Sequence, residues 1–498
     1  MPQGEEFGIP EFQFLSPEFR FGTAEFHFGN AEFHFTAPEF EFGTPEFHFL
    51  GPEFHFGTPE FHFLGREFHF GLAEFEFRVQ FARGMTVKIL LVVSRPPFPP
   101  RRGDQMRAVQ ALEFLGAAHE VTLLAPRGGE QPPPRAVPIR IETYEPPGQL
   151  GRLLGVFGAA LSGRPLQSGL FRSGDLSRKL RALAPRHDLV LLQLERLIGH
   201  LPDLGEVPLI VDLIDSLALN VSRRADFDRR LFRPALRFEA ARLLKAERRL
   251  AARADKLLVV SKRDRSYLEE RLGPHAAADV VFVPLAMPVP EELPPTLKIW
   301  KKPDREPAFE VSEGGGPPLL AITGNLGYFP TVDGALWFLR NVWPAVRSVR
   351  PGVRLLLAGS RPSARLRQAI RQAGAELIDS PADLLGALAR ATLALAPMRA
   401  GSGLPVKVLE AWSAGVPVLA TPWTAAGVSG KAGEDLAVAE PEPAAWEREI
   451  LRLLDSPTER RRLAENGRRR LLADYAAEAV AARWRSAIPA STSPSRSR

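Results

Sequence analysis

From residue 86 onward, short apolar runs alternate with stretches whose apolar positions recur every three or four residues. Val87–Val93, His119–Leu124, Asp188–Gln193, Pro208–Asp212, Lys256–Val260 and Val280–Val283 are runs of four to seven residues rich in Val, Leu and Ile. Such runs, bounded by turn formers, predict buried strands. Gln105–Ala118 has the spacing of an amphipathic helix. The pattern restarts with strands predicted at Pro318–Thr323, Arg354–Ala358, Leu393–Ala396 and Pro417–Ala420, and an edge strand at Ala375–Ile378. Helices are predicted to begin at Asp333–Leu339 and to cover Leu384–Ala391 and Pro405–Ala414, with an Arg-rich helical region after them. The alternation predicts an α/β protein with two Rossmann-like domains, 85–287 and 318–489, facing a cleft. Residues 288–317, rich in Pro, Glu, Lys and Gly, read as a linker, and residues 490–498 as a disordered tail.

Residues 1–84 follow a different rule. Glu-Phe recurs every seven residues from Glu11-Phe12 to Glu74-Phe75, in units close to Pro/Ala-Glu-Phe-His-Phe-Gly-Thr. A coiled coil needs apolar positions three and four apart, whereas these Phe are two apart and Gly and Pro recur throughout. Glu-Phe-His-Phe alternates as a very short strand does. A seven-residue period also matches a 21-nucleotide tandem repeat, and this extension is expected to be disordered or a mispredicted start, with the natural protein opening at Met85. Met85–Val93 is too short an apolar stretch for a signal peptide, and Arg95-Pro96-Pro97 follows it instead of a cleavage site.

Charge sharpens the contrast. The repeat holds 14 Glu and 4 Arg, a balance of −10, against +6 for the whole chain, which leaves +16 on residues 85–498. A basic body points to anionic partners: nucleotide diphosphates, lipid phosphates or an acidic membrane face. No nucleic-acid-binding motif accompanies it. The chain has no cysteine, which excludes disulfides, thiolate catalysis and zinc–thiolate sites. No apolar run is long enough to span a bilayer. The expected location is cytoplasmic, with peripheral contact at the inner face of the membrane through the Arg-rich 223–256 stretch, whose acids Asp226, Asp228, Glu239 and Glu247 would pair part of its charge at the surface.

The most informative segment runs from Ala396 to Thr421. A strand ends near Ala396, Gly401-Ser402-Gly403 forms a turn, Pro405 occupies a first helical position, and Gly415 ends the helix. A strand, a glycine turn and a helix start together make an anion site, because free N–H groups point outward and the helix dipole favours negative charge. Arg399 and Lys407 add cations for a diphosphate. Glu410, one turn after Lys407, is placed to accept hydrogen bonds from two ribose hydroxyls. Gly401–Gly403 lacks the third glycine of a dinucleotide fingerprint, which argues against a nicotinamide enzyme.

This segment resembles the donor-binding motif of glycosyltransferase family 4, in which two Glu flank seven residues and the second lies in a Leu-Glu-Ala helix before Gly-x-Pro-Val. Glu410 matches the second Glu; Ser402 stands where the first would be. Arg95–Arg107, Ser162–Leu166, Val211–Ser216 and Gly324–Asp333 are similar to segments of sugar transferases of exopolysaccharide-associated systems. The resemblance implies a GT-B fold and a retaining glycosyltransferase moving sugar from a nucleoside diphosphate sugar to a hydroxyl acceptor, a glycan or lipid-linked glycan of cell-surface polysaccharide or glycolipid synthesis. It implies front-face attack assisted by the leaving phosphate, with no cofactor and no metal. Asp104, Arg399 and Lys407 are then the candidate catalytic groups. Gly103, Gly324, Asn325, Gly401, Ser402, Gly403 and Glu410 would bind the donor, and Arg107, Asp212 and Asp215 would face the acceptor. The family's Arg and Lys near 324–333 are absent here, which shifts that work to Arg399 and Lys407. Asp226-Phe227-Asp228 has the form of a metal motif but lies in an Arg-crowded helical region, where a surface pair is expected. Two rivals stay open: a nucleotide-sugar 2-epimerase of the same fold, and a non-catalytic subunit.

Overall fold

The computed structural model describes residues 86–488 except 101, 129–138, 229, 274–277 and 290–316, together with the backbone of four short strands in the first 84 residues. The chain divides into Met1–Gly84 and Met85–Arg498, at the point where the sequence pattern changes. In the first unit Phe14–Leu15 pairs antiparallel with Glu18–Phe19, and Glu60–Phe63 with Arg66–His69. One Glu-Phe-His-Phe unit, at 60–63, is therefore a strand. The rest of the repeat, the interior of the linker and the tail from 490 lie outside the described residues.

The second unit opens with a seven-stranded parallel sheet. Its strands are β1 (Lys88–Val92), β2 (Glu120–Pro126), β3 (Arg140–Tyr144), β4 (Leu189–Gln193), β5 (Leu209–Ile214), β6 (Lys256–Val259) and β7 (Asp279–Phe282), in the order β7-β6-β5-β4-β1-β2-β3. The crossovers are carried by α1 (Gly103–Gly116), α2 (Gln149–Leu161), α3 (Leu166–Gly169), α4 (Gly174–Leu183), α5 (Leu217–Phe227), α6 (Arg233–Arg253) and α7 (Lys262–Leu272). A second, six-stranded parallel sheet follows. It comprises β8 (Leu319–Thr323), β9 (Arg354–Gly359), β10 (Glu376–Asp379), β11 (Leu393–Ala396), β12 (Val418–Ala420) and β13 (Ala437–Val438), ordered β10-β9-β8-β11-β12-β13. Its helices are α8 (Phe329–Asn341), α9 (Trp343–Val349), α10 (Ala364–Gln372), α11 (Leu384–Ala389), α12 (Val406–Ser413), α13 (Pro422–Ala425), α14 (Pro443–Asp455), α15 (Pro457–Tyr475) and α16 (Ala477–Ala487).

All of the strands expected from the apolar runs are present, and β10 lies at a sheet edge as its weaker pattern suggests. Both sheets are covered on both faces, so strand residues such as Ile89, Leu90 and Leu91 are fully buried whichever way they point. The division of the chain differs from the sequence reading in one respect. Val480, Trp484, Ala487 and Ile488 of the C-terminal segment pack with Ile89, Leu91 and Leu112, so α16 completes the core of the first domain and not of the second.

The same packing decides the place of Arg107 and Asp212. Arg107 is on the buried side of α1, and Asp212 is within β5. The guanidinium donates to the carboxylate from Nε at 2.9 Å and from Nη2 at 3.3 Å, and from Nη1 to the Pro284 carbonyl at 2.8 Å. Trp484 lies 4.3 Å from its carbon, ring face on. Both side chains are sealed from solvent, which corrects the expectation that they face an acceptor: they neutralise each other inside the domain.

Candidate active site

In each sheet the first strand has neighbours whose crossovers run to opposite faces, which leaves a crevice at the strands' carboxyl ends. In the second sheet this switch point lies between β8 and β11. β8 runs into Gly324, whose φ of +117° favours glycine. The chain beside it is equally constrained: a Cβ on Gly359 would lie 1.8 Å from the Gly324 carbonyl oxygen. β11 runs into the 397–405 loop, and α12 starts at Val406, one residue later than expected, with Pro405 as its cap.

Lys407, in the first turn of α12, reaches across this crevice. Its Nζ donates to Thr331 Oγ1 at 3.1 Å, and its Cε would touch a Cβ at Gly324 at 3.4 Å. Burial favours the neutral amine and lowers its pKa to about 8, while Glu410 pulls in the opposite direction. Glu410 is held one turn further along α12. Burial raises its pKa, and Lys407 and a hydrogen bond from the Thr323 side chain work against that rise. Its Oε2 is buried with no hydrogen-bond partner. An unpaired carboxylate oxygen in such a place is costly unless a ligand supplies a donor. Asn325 turns its Oδ1 inward to accept from the Gly327 N–H at 3.0 Å, which closes the loop after β8.

The remaining donor-side expectations need correction. Arg399 is engaged by Asp333 through contacts of 2.8–3.1 Å from Nε and Nη2, and it lies near Phe227 and Trp337. Its charge is thereby neutralised within the protein and is not offered to a diphosphate. The 401–403 turn is also not open. Its Gly403 N–H donates to Asp264 at 2.9 Å, the Gly403 carbonyl accepts from Arg263, and the Gly401 carbonyl accepts from Trp423. The Ser402 hydroxyl donates to Asp215 and accepts from the Asn220 amide at 2.8 Å. Arg223 and Arg263 both stack on Trp423, at 4.4 and 4.6 Å. This turn therefore latches the second domain to α5 and α7 of the first. At the start of α12 the Val406 and Val408 N–H groups already donate to the Leu404 and Pro405 carbonyls at 2.9 Å, so the anion-binding side chain that α12 offers the crevice is Lys407.

Across the crevice, Asp104 lies in the first turn of α1, with Arg102 at the cap position. Arg95 donates to it at 2.5 Å and Arg196 approaches to 3.7 Å. Gly103 is exposed, and a Cβ there would meet nothing within 4 Å, so its backbone borders open space. Asp215, expected to face the acceptor, is instead directed at the second domain, where its carboxylate accepts from the Ser402 hydroxyl and the Asn220 amide. Behind it lies a group that sequence reasoning missed: Glu195, Glu247 and Asp264, all buried. Asp264 accepts from the Ser216 N–H at 3.0 Å, and Glu247 accepts from the Ser216 hydroxyl and the Ala218 N–H at 2.9 and 3.1 Å. These contacts anchor the carboxylates on the amino ends of α5 and α7, where the helix dipoles favour negative charge. Burial still raises Asp215 to about 6 and Glu247 to about 7, and Glu195 rises for the same reason and through repulsion from its neighbours. Glu247 is consequently not one of the surface acids of α6. Asp226 and Asp228 do sit in arginine pairs, with Arg223 at 3.6 Å and Arg224 at 2.9 Å. The backbone is strained at the same edge: Leu194 and Ile214, just past β4 and at the end of β5, have φ of +72° and +67°.

Comparison with known proteins agrees with this architecture. Residues 317–456 match the family model described as "Glycosyl transferases group 1", so the second domain is a group 1 glycosyltransferase domain. No curated protein matches the chain. Among solved structures, sucrose-phosphate synthase from Thermosynechococcus elongatus superposes with a TM-score of 0.57 at 17% identity, covering 80% of this chain and 98% of that one. Anabaena HepE in complex with UDP and glucose gives 0.52 at 15% identity, over 80% and 99% of the two chains. The E. coli trehalose-6-phosphate protein bound with UDP-2-fluoro glucose gives 0.52 at 12% identity, over 80% and 97%. The fold is GT-B: two Rossmann-like domains on parallel sheets.

Proposed function

We propose that the protein transfers a glycosyl group from a nucleoside diphosphate sugar, with UDP the first base to try, to a hydroxyl acceptor with retention of configuration. The observation that carries this reading is Glu410: a buried carboxylate oxygen without a partner, one turn from a cationic lysine, at the switch point of the group 1 domain. Two vicinal ribose hydroxyls have the chemistry that such an oxygen lacks. The choice of UDP is supported by similar folds that hold UDP or a UDP-sugar analogue.

In this reaction the bond between the anomeric carbon and the diphosphate oxygen breaks, and the acceptor oxygen forms the new bond on the same face. The acceptor's proton passes to the departing phosphate oxygen. Lys407, with the dipole of α12 behind it, meets the charge that develops on the diphosphate. Asp104 lies across the crevice, where its carboxylate and Arg95 would orient the acceptor. The resemblance of the 95–107 and 211–216 segments supports a glycan or lipid-linked glycan acceptor in cell-surface polysaccharide or glycolipid synthesis.

Incubation with UDP-, GDP- and ADP-sugars, with and without a glycan acceptor mixture, tests this. The expected result is acceptor-dependent release of nucleoside diphosphate and a product of unchanged anomeric configuration. Conversion of the donor sugar to its C2 epimer without acceptor would identify an epimerase, and donor binding without any turnover a non-catalytic subunit.

A further inference from the structure

Most surface helices turn their large apolar side chains inward. Helix α2 does the reverse. Leu150, Leu153, Leu154, Phe157 and Leu161 recur at helical spacing along one side, and each is between 62% and 75% exposed. The side turned to the protein is built from small residues. Ala159 is fully buried, and Gly155 packs so tightly on α3 that a Cβ there would lie 2.1 Å from the Gly169 carbonyl oxygen. Arg242 of α6 ties down the end of α2 by donating to the Ala160 carbonyl at 2.9 Å, and Glu239 accepts from the Leu166 N–H at 2.8 Å. The helix is thus firmly seated through its backbone, with its apolar side chains outward.

The apolar surface continues beyond the helix. Leu166 and Leu170 follow it, and Phe238, one turn before Arg242 on α6, is also exposed, as are Leu231 and Phe232 just ahead of α6. The charge beside α2 is mainly positive, and the neighbouring acid, Glu239, is paired with Arg242 at 3.8 Å. Residues 146–172 contain Arg152, Arg164 and Arg172 and no acid. Arg164 and Arg172 both approach Gly199, and the Arg164 guanidinium is held below its ordinary pKa by partial burial and by repulsion from Arg172 and Arg249.

We infer that α2 and the adjoining start of α6 form a docking surface for an anionic lipid bilayer, with α2 lying in the plane of the interface. An apolar stripe flanked by arginines, its neighbouring acid Glu239 already paired with Arg242, fits the boundary between acyl chains and acidic headgroups. A helix of 13 residues is too short to span a bilayer, and among the described residues no helix is long and apolar enough to cross one. The charge complementarity selects a lipid surface over a second copy of the chain, which would bring like-charged arginines together. This surface is centred on α2 and shares only residues 231–238 with the 223–256 stretch that the sequence suggests. It does not depend on the donor-site assignment.

Sedimentation of the full chain with vesicles tests it. Binding is expected to vesicles containing phosphatidylglycerol and to be weak on phosphatidylcholine alone, and it should fall as salt is raised. The triple variant Leu153→Ser/Leu154→Ser/Phe157→Ser is expected to lose about a hundredfold in vesicle affinity. The variant Arg152→Glu should lose at least about fivefold on the anionic vesicles only. Both variants should keep the parent's unfolding midpoint and UDP affinity, because these side chains touch neither the core nor the crevice. No sedimentation of the parent with anionic vesicles, or undiminished sedimentation of the triple variant, would overturn the inference. So would a parent dimer that the triple variant converts to a monomer while neither binds vesicles.

Discussion

Replacing Lys407 with methionine is expected to lower kcat by about a hundredfold to a thousandfold, the loss typical of removing one donor to a developing oxyanion. Methionine keeps the length and apolar stem of the side chain, so the packing against Gly324 survives while the ammonium does not. The effect should be large because, among the described residues, no second cation on the donor side is left unpaired beside Lys407. Arg399, the other expected cation, is bound to Asp333. The pH profile carries a second signature. Free Lys407 loses its proton near pH 8, since burial favours the neutral amine, and a bound diphosphate would raise that pKa again. Donor affinity, and kcat/KM with it, should therefore decline by roughly tenfold per unit as pH rises above about 8, in the parent only. A Lys407→Met enzyme with parental kcat and the same alkaline limb would remove Lys407 from the mechanism.

The second large effect is on stability. Asp212→Ala leaves the Arg107 guanidinium buried with only the Pro284 carbonyl and the face of Trp484, and is expected to cost about 3–5 kcal/mol in denaturant unfolding. Replacing both partners, in Arg107→Met/Asp212→Leu, should recover most of that loss, because the penalty lies in the unpaired charge. Stability within about 1 kcal/mol of the parent, combined with a raised acceptor KM, would instead return the pair to the acceptor site.

The parts of the fold that were legible in the sequence are those governed by local pattern. Apart from the terminal Lys88, Gln193 and Lys256, β1, β4, β6 and β11 are Val/Leu/Ile/Ala runs, and a run of that kind buried on both faces has few other ways to fold. β3, which reads Arg-Ile-Glu-Thr-Tyr, was missed: it lies at a sheet edge, and its alternation is short. α2 was missed because its apolar residues fit no ordinary helix, with small residues where a core-facing stripe should be. At the site, Lys407 and Glu410 were legible because a strand, a glycine turn and a helix fix the positions of residues close in sequence. The fates of Arg399, Arg107 and Asp212 depended on partners 66 to 177 residues away, which no local pattern displays. The same holds for Glu195 and Glu247. Asp264 had a faint signal in Ser261-Lys262-Arg263-Asp264, a capping sequence at the start of α7.

Calorimetric titration of UDP into the parent and into Glu410→Ala addresses the assignment of the crevice most directly. A saturable site in the parent, weakened by about a hundredfold in the variant through loss of two charge-assisted ribose hydrogen bonds, is the predicted result. UDP, GDP and ADP all failing to bind the parent, or binding the variant as tightly, would contradict it.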